Sequence, residues 1–435
     1  MRKGQKLYSK AKKIILGGNM LLSKRPEMYL PNLWPSYFSK SEKVFLWDLD
    51  GKRYTDMIFA VGHNILGYKN KELDKSIFKT VNSGNMTTLN CPEEVYLTKK
   101  LLQIHSWAGM AKYARSGGEA NALAIRIARA ASKRDGVAIC GYHGWHDWYL
   151  STNLKSKKKL SSHLLDGLST IGVPKVLKDT VHPFNYGDLN ELKRIIKKKK
   201  IGVIKMEVCR NSLPDTKFLR EVKKISKKNK IILIFDECTS GFRRNLGGIH
   251  MNYKIYPDIV MLGKALGNGY AITAVLGKKN IMKKAETSFI SSTFWTERIG
   301  FVAALNTLKI MEKKKSWLTI IKNGKYIISE IKKIAKKYNL KISITGIETI
   351  IYISFLYKKN LEYKTFLTQE MLKKNYLASN QIFVSIYHTK KIVDGYIKVL
   401  EKVFEKISYF EKNNVGKSKF LNNDVCHKTF QRLTN

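Results

Sequence analysis

The sequence predicts an α/β protein built on a mostly parallel sheet, joined to a smaller α+β domain. Three observations predict it. From about residue 95 to 275, segments with apolar residues at helical spacing alternate with short apolar runs. Those runs are nearly continuous rather than alternating, as in strands buried on both faces. After residue 300 the order changes to two long helical stretches and then short strand-like pieces, the pattern of a separate α+β unit.

The first 40 or so residues mix Lys, Gly, Pro and aromatics and read as an irregular arm after one short helix. Residues 43–49 and 53–58 form an extended pair joined through Asp50-Gly51, a strong hairpin signal. Helical spacing marks 95–104 and 119–131, and the apolar runs 136–140, 202–207, 231–236 and 258–262 read as strands. Later helices span 301–313 and 317–338, strand-like pieces 341–344 and 349–355, and a closing helix lies near 391–407. Residues 411–435 are polar and aperiodic and read as a loose tail. The expected division is 1–55 for an N-terminal arm and hairpin that join the small domain, and 56–300 for the large domain. It continues with 301–410 for the C-terminal small domain and 411–435 for the tail.

A hydrophobic fraction of 44% with 11% aromatics supplies a core and excludes a disordered chain. Lys and Arg number 80 against 34 Asp and Glu, a net charge of +46 that by itself suggests a nucleic-acid or membrane-surface partner. The charge is dispersed, however. Short runs such as Lys157-Lys158-Lys159 and Lys313-Lys314-Lys315 recur along the chain, and no basic domain stands out. Neither a nucleic acid nor a membrane is expected as partner. Five cysteines without a CxxC pair argue against a disulfide framework and a zinc site, and fit a reducing compartment. No apolar run approaches the ~20 residues that span a bilayer. The apolar cluster at residues 14–16 is too short for a signal-peptide core, so the cytoplasm is the expected location.

In open α/β sheets ligands sit beyond the C-terminal ends of the strands, and four places there carry polar residues. Ser116-Gly117-Gly118-Glu119 opens a helix. A capping box explains Ser116 and Glu119 but not two glycines in a first turn, where Gly is unfavourable. Glycines there admit close approach to the N–H groups, and the helix dipole favours an anion. Asp236 ends the run 231–235. It reads either as a helix cap or solvated strand end, or as a carboxylate that pairs with a cationic ligand group. Lys264 ends the next run within Gly263-Lys264-Ala265-Leu266-Gly267-Asn268-Gly269. Most of so many lysines are surface groups, but a partly desolvated one deprotonates readily and attacks a carbonyl to form a Schiff base. Tyr142-His143-Gly144 follows 136–140 and offers a ring to stack on a flat ligand. His143 and His146 raise a metal, but no third ligand accompanies them and none is expected. An anion cradle, an aromatic plate, a buried carboxylate and a Schiff-base lysine are the needs of pyridoxal 5′-phosphate (PLP).

On these residues the chain resembles the class III PLP-dependent aminotransferases of fold type I, and within them the glutamate-1-semialdehyde 2,1-aminomutase branch. The resemblance runs from about Leu7 to Ile407. It includes Ile15-Leu16-Gly17-Gly18-Asn19, Trp47-Asp48-Leu49-Asp50-Gly51, Ser116-Gly117-Gly118-Glu119-Ala120, Tyr142-His143-Gly144, Asp236-Glu237-Cys238-Thr239-Ser240-Gly241-Phe242-Arg243, Leu262-Gly263-Lys264 and Ser292-Thr293. It implies a large PLP-binding domain and a small domain built from the N- and C-terminal segments. It also implies that Lys264 forms the internal aldimine and shuttles a proton, while Asp236 pairs with the pyridine nitrogen. Ser116, Gly117 and Gly118 would hold the phosphate, and Tyr142 would stack on one ring face with Cys238 on the other. His143 is a further cofactor contact, and Glu207 matches a residue near the cofactor hydroxyl. Thr293 would reach the phosphate of the neighbouring subunit, which makes a homodimer part of the site.

Departures from the aminomutase pattern bear on substrate. Gly118 stands where many relatives have Ser or Thr, and Phe294-Trp295-Thr296-Glu297-Arg298 replaces a segment of small residues. The arm leading to Arg25 is two residues longer. Arg25, Trp34 and Arg210 are candidate substrate contacts. Aromatic walls with few fixed charges suit an uncharged, flat-faced acceptor. The expected activity is transfer of an amino group from a donor such as glutamate to a carbonyl acceptor such as a keto sugar. Its alternatives are the intramolecular aminomutase reaction, giving 5-aminolevulinate, and, remotely, nucleic-acid binding.

Overall fold

A computed structural model describes residues 2–155, 168–209 and 212–428 of the chain. It divides into two compact units, Met1–Asn70 with Leu318–Asn435, and Lys71–Trp317. Both boundaries fall later in the sequence than residues 55 and 300. Lys43 and Tyr68 exchange backbone hydrogen bonds at 2.9 Å, which keeps the segment after the hairpin in the first unit. The helix Arg298–Lys314 packs on Lys71–Asn82 and Glu93–Ile104, which keeps it in the second.

The second unit is organised by a seven-stranded sheet. Its strands are β1 (Met110–Ala114), β2 (Gly136–Cys140), β3 (Val181–Pro183), β4 (Ile201–Glu207), β5 (Ile232–Glu237), β6 (Ile259–Leu262) and β7 (Thr273–Gly277). Their order across the sheet is β1-β7-β6-β5-β4-β2-β3. Only β7 runs against its neighbours β1 and β6; the pairings among β2 to β6 are parallel. Residues of β4, β5 and β6 are almost all buried, as continuous apolar runs require. The helix α1 (Gly117–Ser132) lays Leu123, Ile127 and Ala128 against Val203, Ile234 and Met261 in one cluster. The parallel strands therefore end together, and Cys140, Glu207, Glu237 and Leu262 lead into loops at one edge.

In the first unit the expected hairpin is present. Phe45–Asp48 pairs with Arg53–Asp56 in the register Phe45↔Thr55, Leu46↔Tyr54 and Trp47↔Arg53. Asp48 Oδ1 accepts the N–H groups of Asp50 and Lys52, and Gly51 takes the left-handed φ of +78° that the turn needs. The strands Ile342–Ile347 and Ile350–Phe355 pair antiparallel, with Gln381–Phe383 beyond them.

Of the expected loose tail, residues 411–428 are described and are docked, while 429–435 lie outside the described residues. The closing helix runs to Lys412. Phe420 is 5% exposed and stacks on Phe410 at 4.6 Å, while Gln369 Nε2 donates to its carbonyl. Cys426 is buried, and its N–H reaches Thr365 Oγ1 at 3.0 Å. Two isolated apolar side chains dock the segment, and two such residues make no periodic signal. Among the described residues no helix is long and apolar enough to cross a membrane.

Candidate active site

Ser116 caps α1 through a complete capping box, and its hydroxyl also donates to Glu119 Oε2 at 3.2 Å. The Ser116 side chain is thus committed to the helix start. Gly117 and Gly118 follow in the first turn, whose N–H groups have no intrahelical partner. A Cβ on Gly117 would meet nothing within 4 Å. One on Gly118 would stand 3.0 Å from His146 Nε2 and 3.4 Å from Trp145 Nε1. The loop after β2 therefore lies over Gly118, which explains why a larger residue is absent there. Its own Gly144, at φ +96°, would place a Cβ 3.2 Å from Gly118 Cα.

Asp236, near the end of β5, is 6% exposed. Its Oδ2 lies 2.9 Å from His143 Nδ1 and 3.6 Å from Lys205 Nζ, and its Oδ1 accepts the Cys238 N–H at 3.1 Å. Burial alone would push its carboxyl up. The Lys205 cation and the His143 hydrogen bond outweigh burial and hold it well below the usual carboxylate range. His143 is fully buried beside Trp148 and Tyr149, with its Nδ1 turned to Asp236. Among the described residues no group of three His, Cys, Asp or Glu stands close enough to hold a metal ion. Tyr142 is 37% exposed, and its N–H donates to Glu207 Oε2 at 3.1 Å. Gly141, at φ +116°, leaves room for that carboxylate: a Cβ there would lie 2.5 Å from it.

Lys264 follows β6. Its Nζ donates to Thr239 Oγ1 at 2.8 Å, so it folds back over the turn that ends β5. Desolvation, and then the Arg243 cation, lower its proton affinity against the opposing pull of Cys238, Glu207 and Asp236. Its backbone is left-handed at φ +42°. Gly263 before it packs against Cys238: a Cβ would sit 3.2 Å from Sγ. Lys264, Asp236, His143, Cys238 and Glu207 thus gather where β4, β5 and β6 end.

Thr293 is exposed at the head of a short turn. The segment after it is clamped rather than open. Arg115 Nε donates to Phe294 O at 2.7 Å, and its Nη2 reaches the carbonyls of Trp295 and Glu297. Trp295 donates its indole N–H to Glu119 Oε1 at 3.2 Å and packs on the core under α1. Arg298 is tied to Glu93 by two contacts of 2.7 and 2.9 Å. The expected aromatic wall is corrected accordingly: Trp295 is an internal anchor, and Phe294, 67% exposed, is the part left outward.

Arg25 and Trp34 belong to the other unit and are buried there. The Arg25 guanidinium lies so close to Gly17 that no Cβ would fit, and Trp34 stacks on Tyr29 at 4.5 Å. Arg210 lies outside the described residues. Sequence reasoning missed Lys205 and Arg115, quoted Thr239 only as part of the Asp236 motif, and weighed His146 only as a metal ligand. For Lys205 a signal existed, since it is the one cation inside an otherwise apolar run.

Residues 31–376 match the family model described as aminotransferase class-III. A 3-aminobutyryl-CoA aminotransferase of Cloacimonas acidaminovorans is 29% identical over 398 residues, covering 89% of this chain and 91% of that protein. A glutamate-1-semialdehyde 2,1-aminomutase of Methanocaldococcus jannaschii is also 29% identical, over 432 residues, covering 93% and 98%. Among solved structures, the PLP internal aldimine form of the Sphingopyxis sp. MTA144 FumI protein matches with a TM-score of 0.85 at 22% identity. That match covers 94% of this chain and 97% of the other, and it shows a shared fold.

Proposed function

Because the chain belongs to the class III aminotransferase family, whose cofactor is PLP, we propose that it aminates a carbonyl larger than glutamate 1-semialdehyde. The acceptor is uncharged, such as a keto sugar, and the donor is an amino acid such as glutamate. One observation carries the reading of the site: Asp236 and Lys264 stand at the ends of adjacent strands, one a carboxylate kept ionised, the other an amine whose burial favours its neutral form.

The residues fit PLP. Gly117 leaves open space at a helix N-terminus suited to a phosphate, and Asp236 offers an anion to a ring nitrogen. The bound cofactor supplies an aldehyde that condenses with amines and a ring that accepts electron density. Lys264 Nζ would take a proton from the substrate carbon and return it, and its lowered proton affinity suits it to both directions. Thr239 Oγ1 steadies the amine. Tyr142 and Cys238 would flank the ring, Glu207 and His143 would hold the loop and the carboxylate behind it, and Ser116 would support the phosphate turn by capping α1. Thr293 would serve the neighbouring subunit of a homodimer in the cytoplasm.

The state of Arg25, and of Arg298 in the segment that follows Thr293, supports the uncharged acceptor. Arg298 is paired with Glu93, and Arg25 is folded against Gly17. A second reading, the intramolecular mutase, is favoured by the aminomutase relatives. The test is to supply glutamate 1-semialdehyde to the pyridoxamine-loaded protein and measure 5-aminolevulinate by mass spectrometry. Little product beside efficient amination of keto sugars supports the proposal; efficient product overturns it in favour of the mutase.

A further inference from the structure

Lys205 sits in the middle of β4, 0% exposed, with Val203, Ile204 and Met206 buried around it. The parallel register pairs it with Ile234 and pairs Glu207 with Asp236, so Lys205 lies one pleat step below Asp236 on the same face. Its chain climbs toward that carboxylate. Nζ lies 3.6 Å from Asp236 Oδ2 and 2.8 Å from the sulfur of Met261, the β6 residue that pairs with Asp236. A thioether is a weak acceptor, and a buried ammonium without an anion is strongly unfavourable. Asp236 is therefore its counter-ion.

We propose that Lys205 is a positioning residue for Asp236, a resident cation that keeps the carboxylate ionised and shares its charge with the ring nitrogen of bound PLP. The ring then holds its proton less tightly than Asp236 alone would make it. A like charge beside a protonated base weakens its proton, and an opposite charge strengthens it. The other charged and titratable groups facing the pair include Tyr142 and His143 from the loop after β2, Glu207 at the end of β4, Cys238 after Asp236 and Lys264 after β6. Burial pushes the Lys205 amine down and the Asp236 carboxylate opposes it, which agrees with an ion pair. The inference rests on the reading of Asp236 given above.

The experiment loads ring-15N-labelled PLP into wild type and Lys205→Met and follows the ring-nitrogen chemical shift against pH. The variant is expected to keep the ring proton to a pH higher by about one to three units. Coincident titrations would overturn the proposal. Should the variant not fold, a neutron structure of the wild-type holoprotein decides: three deuterons on Lys205 Nζ support the cation, and two refute it. Borohydride attachment at Lys264 separates the two readings. Attachment there with coincident titrations removes only the role of Lys205; attachment elsewhere removes the site itself.

Discussion

His143 Nδ1 lies 2.9 Å from Asp236 Oδ2, with its imidazole fully enclosed, so it donates its Nδ1–H to the carboxylate. An asparagine at 236 would keep an oxygen for His143 or for the Cys238 N–H while losing the charge. Asp236→Asn is expected to keep the native fold at lower stability, because it leaves the Lys205 ammonium without its counter-ion, and to lose turnover by roughly a hundredfold or more. Turnover and near-ultraviolet circular dichroism on one sample measure both, and turnover near wild type would take Asp236 out of the mechanism.

Lys264→Ala is expected to abolish the visible absorbance of the holoprotein and the permanent attachment of cofactor by borohydride. Peptide mass spectrometry locates the attachment in wild type. Any lysine other than Lys264 at that site contradicts the assignment.

The two glycines of α1 are expected to differ. Gly117→Ala adds a methyl into open space, whereas Gly118→Ala presses one against the His146 ring at 3.0 Å. Thermal unfolding should show the first near neutral and the second destabilised by about 1 to 3 kcal/mol. Equal midpoints would mean that the Trp145-His146 loop does not cover Gly118.

Thr293→Ala is expected to weaken cofactor retention by on the order of tenfold, the effect of one charge-assisted hydrogen bond. Dilution below the dimer range should weaken retention in wild type as well. Full activity from a monomer in ultracentrifugation would refute the shared site.

His388 is buried and neutral: Nδ1 accepts the Ser385 N–H at 3.1 Å and Nε2 donates to Asp56 O at 3.0 Å. Burial pushes its pKa down to about 4. An unfolded histidine takes its proton near pH ~6.5. Its contribution to stability is therefore complete above that value and is lost as pH falls from there toward about 4, by about 3 kcal/mol in all. The melting temperature should fall between about pH 7 and about pH 5, and His388→Gln should show a shallower fall. Parallel slopes would refute the assignment.

The strands β2, β4, β5 and β6 were legible because burial on both faces writes an unbroken apolar run. Strands β1 and β7 were not: β1 carries Lys112 on an exposed position, and the apolar run of β7 is cut to Ala274-Val275-Leu276 by Thr273 and Gly277. Lys264 and Asp236 were legible because glycines and strand ends surround them. Lys205 showed only as a cation inside an apolar run, and its significance was not legible, since it lies in Asp236, two residues beyond its register partner Ile234 on β5. The packing of Phe420 and Cys426 was hidden for a similar reason, since a single anchor has no period.

Lys264 holds a left-handed backbone that glycine would adopt without strain, at a cost to lysine of about 1 kcal/mol or more, and it buries an amine besides. Against that stands the hydrogen bond of its amine to Thr239 Oγ1, which contributes about 1 kcal/mol. Selection for heat resistance and selection for chemistry therefore oppose each other at a single codon. A library screened for survival at high temperature, with no activity requirement, should accumulate glycine at position 264, and the enzyme would become sturdier as it became inert.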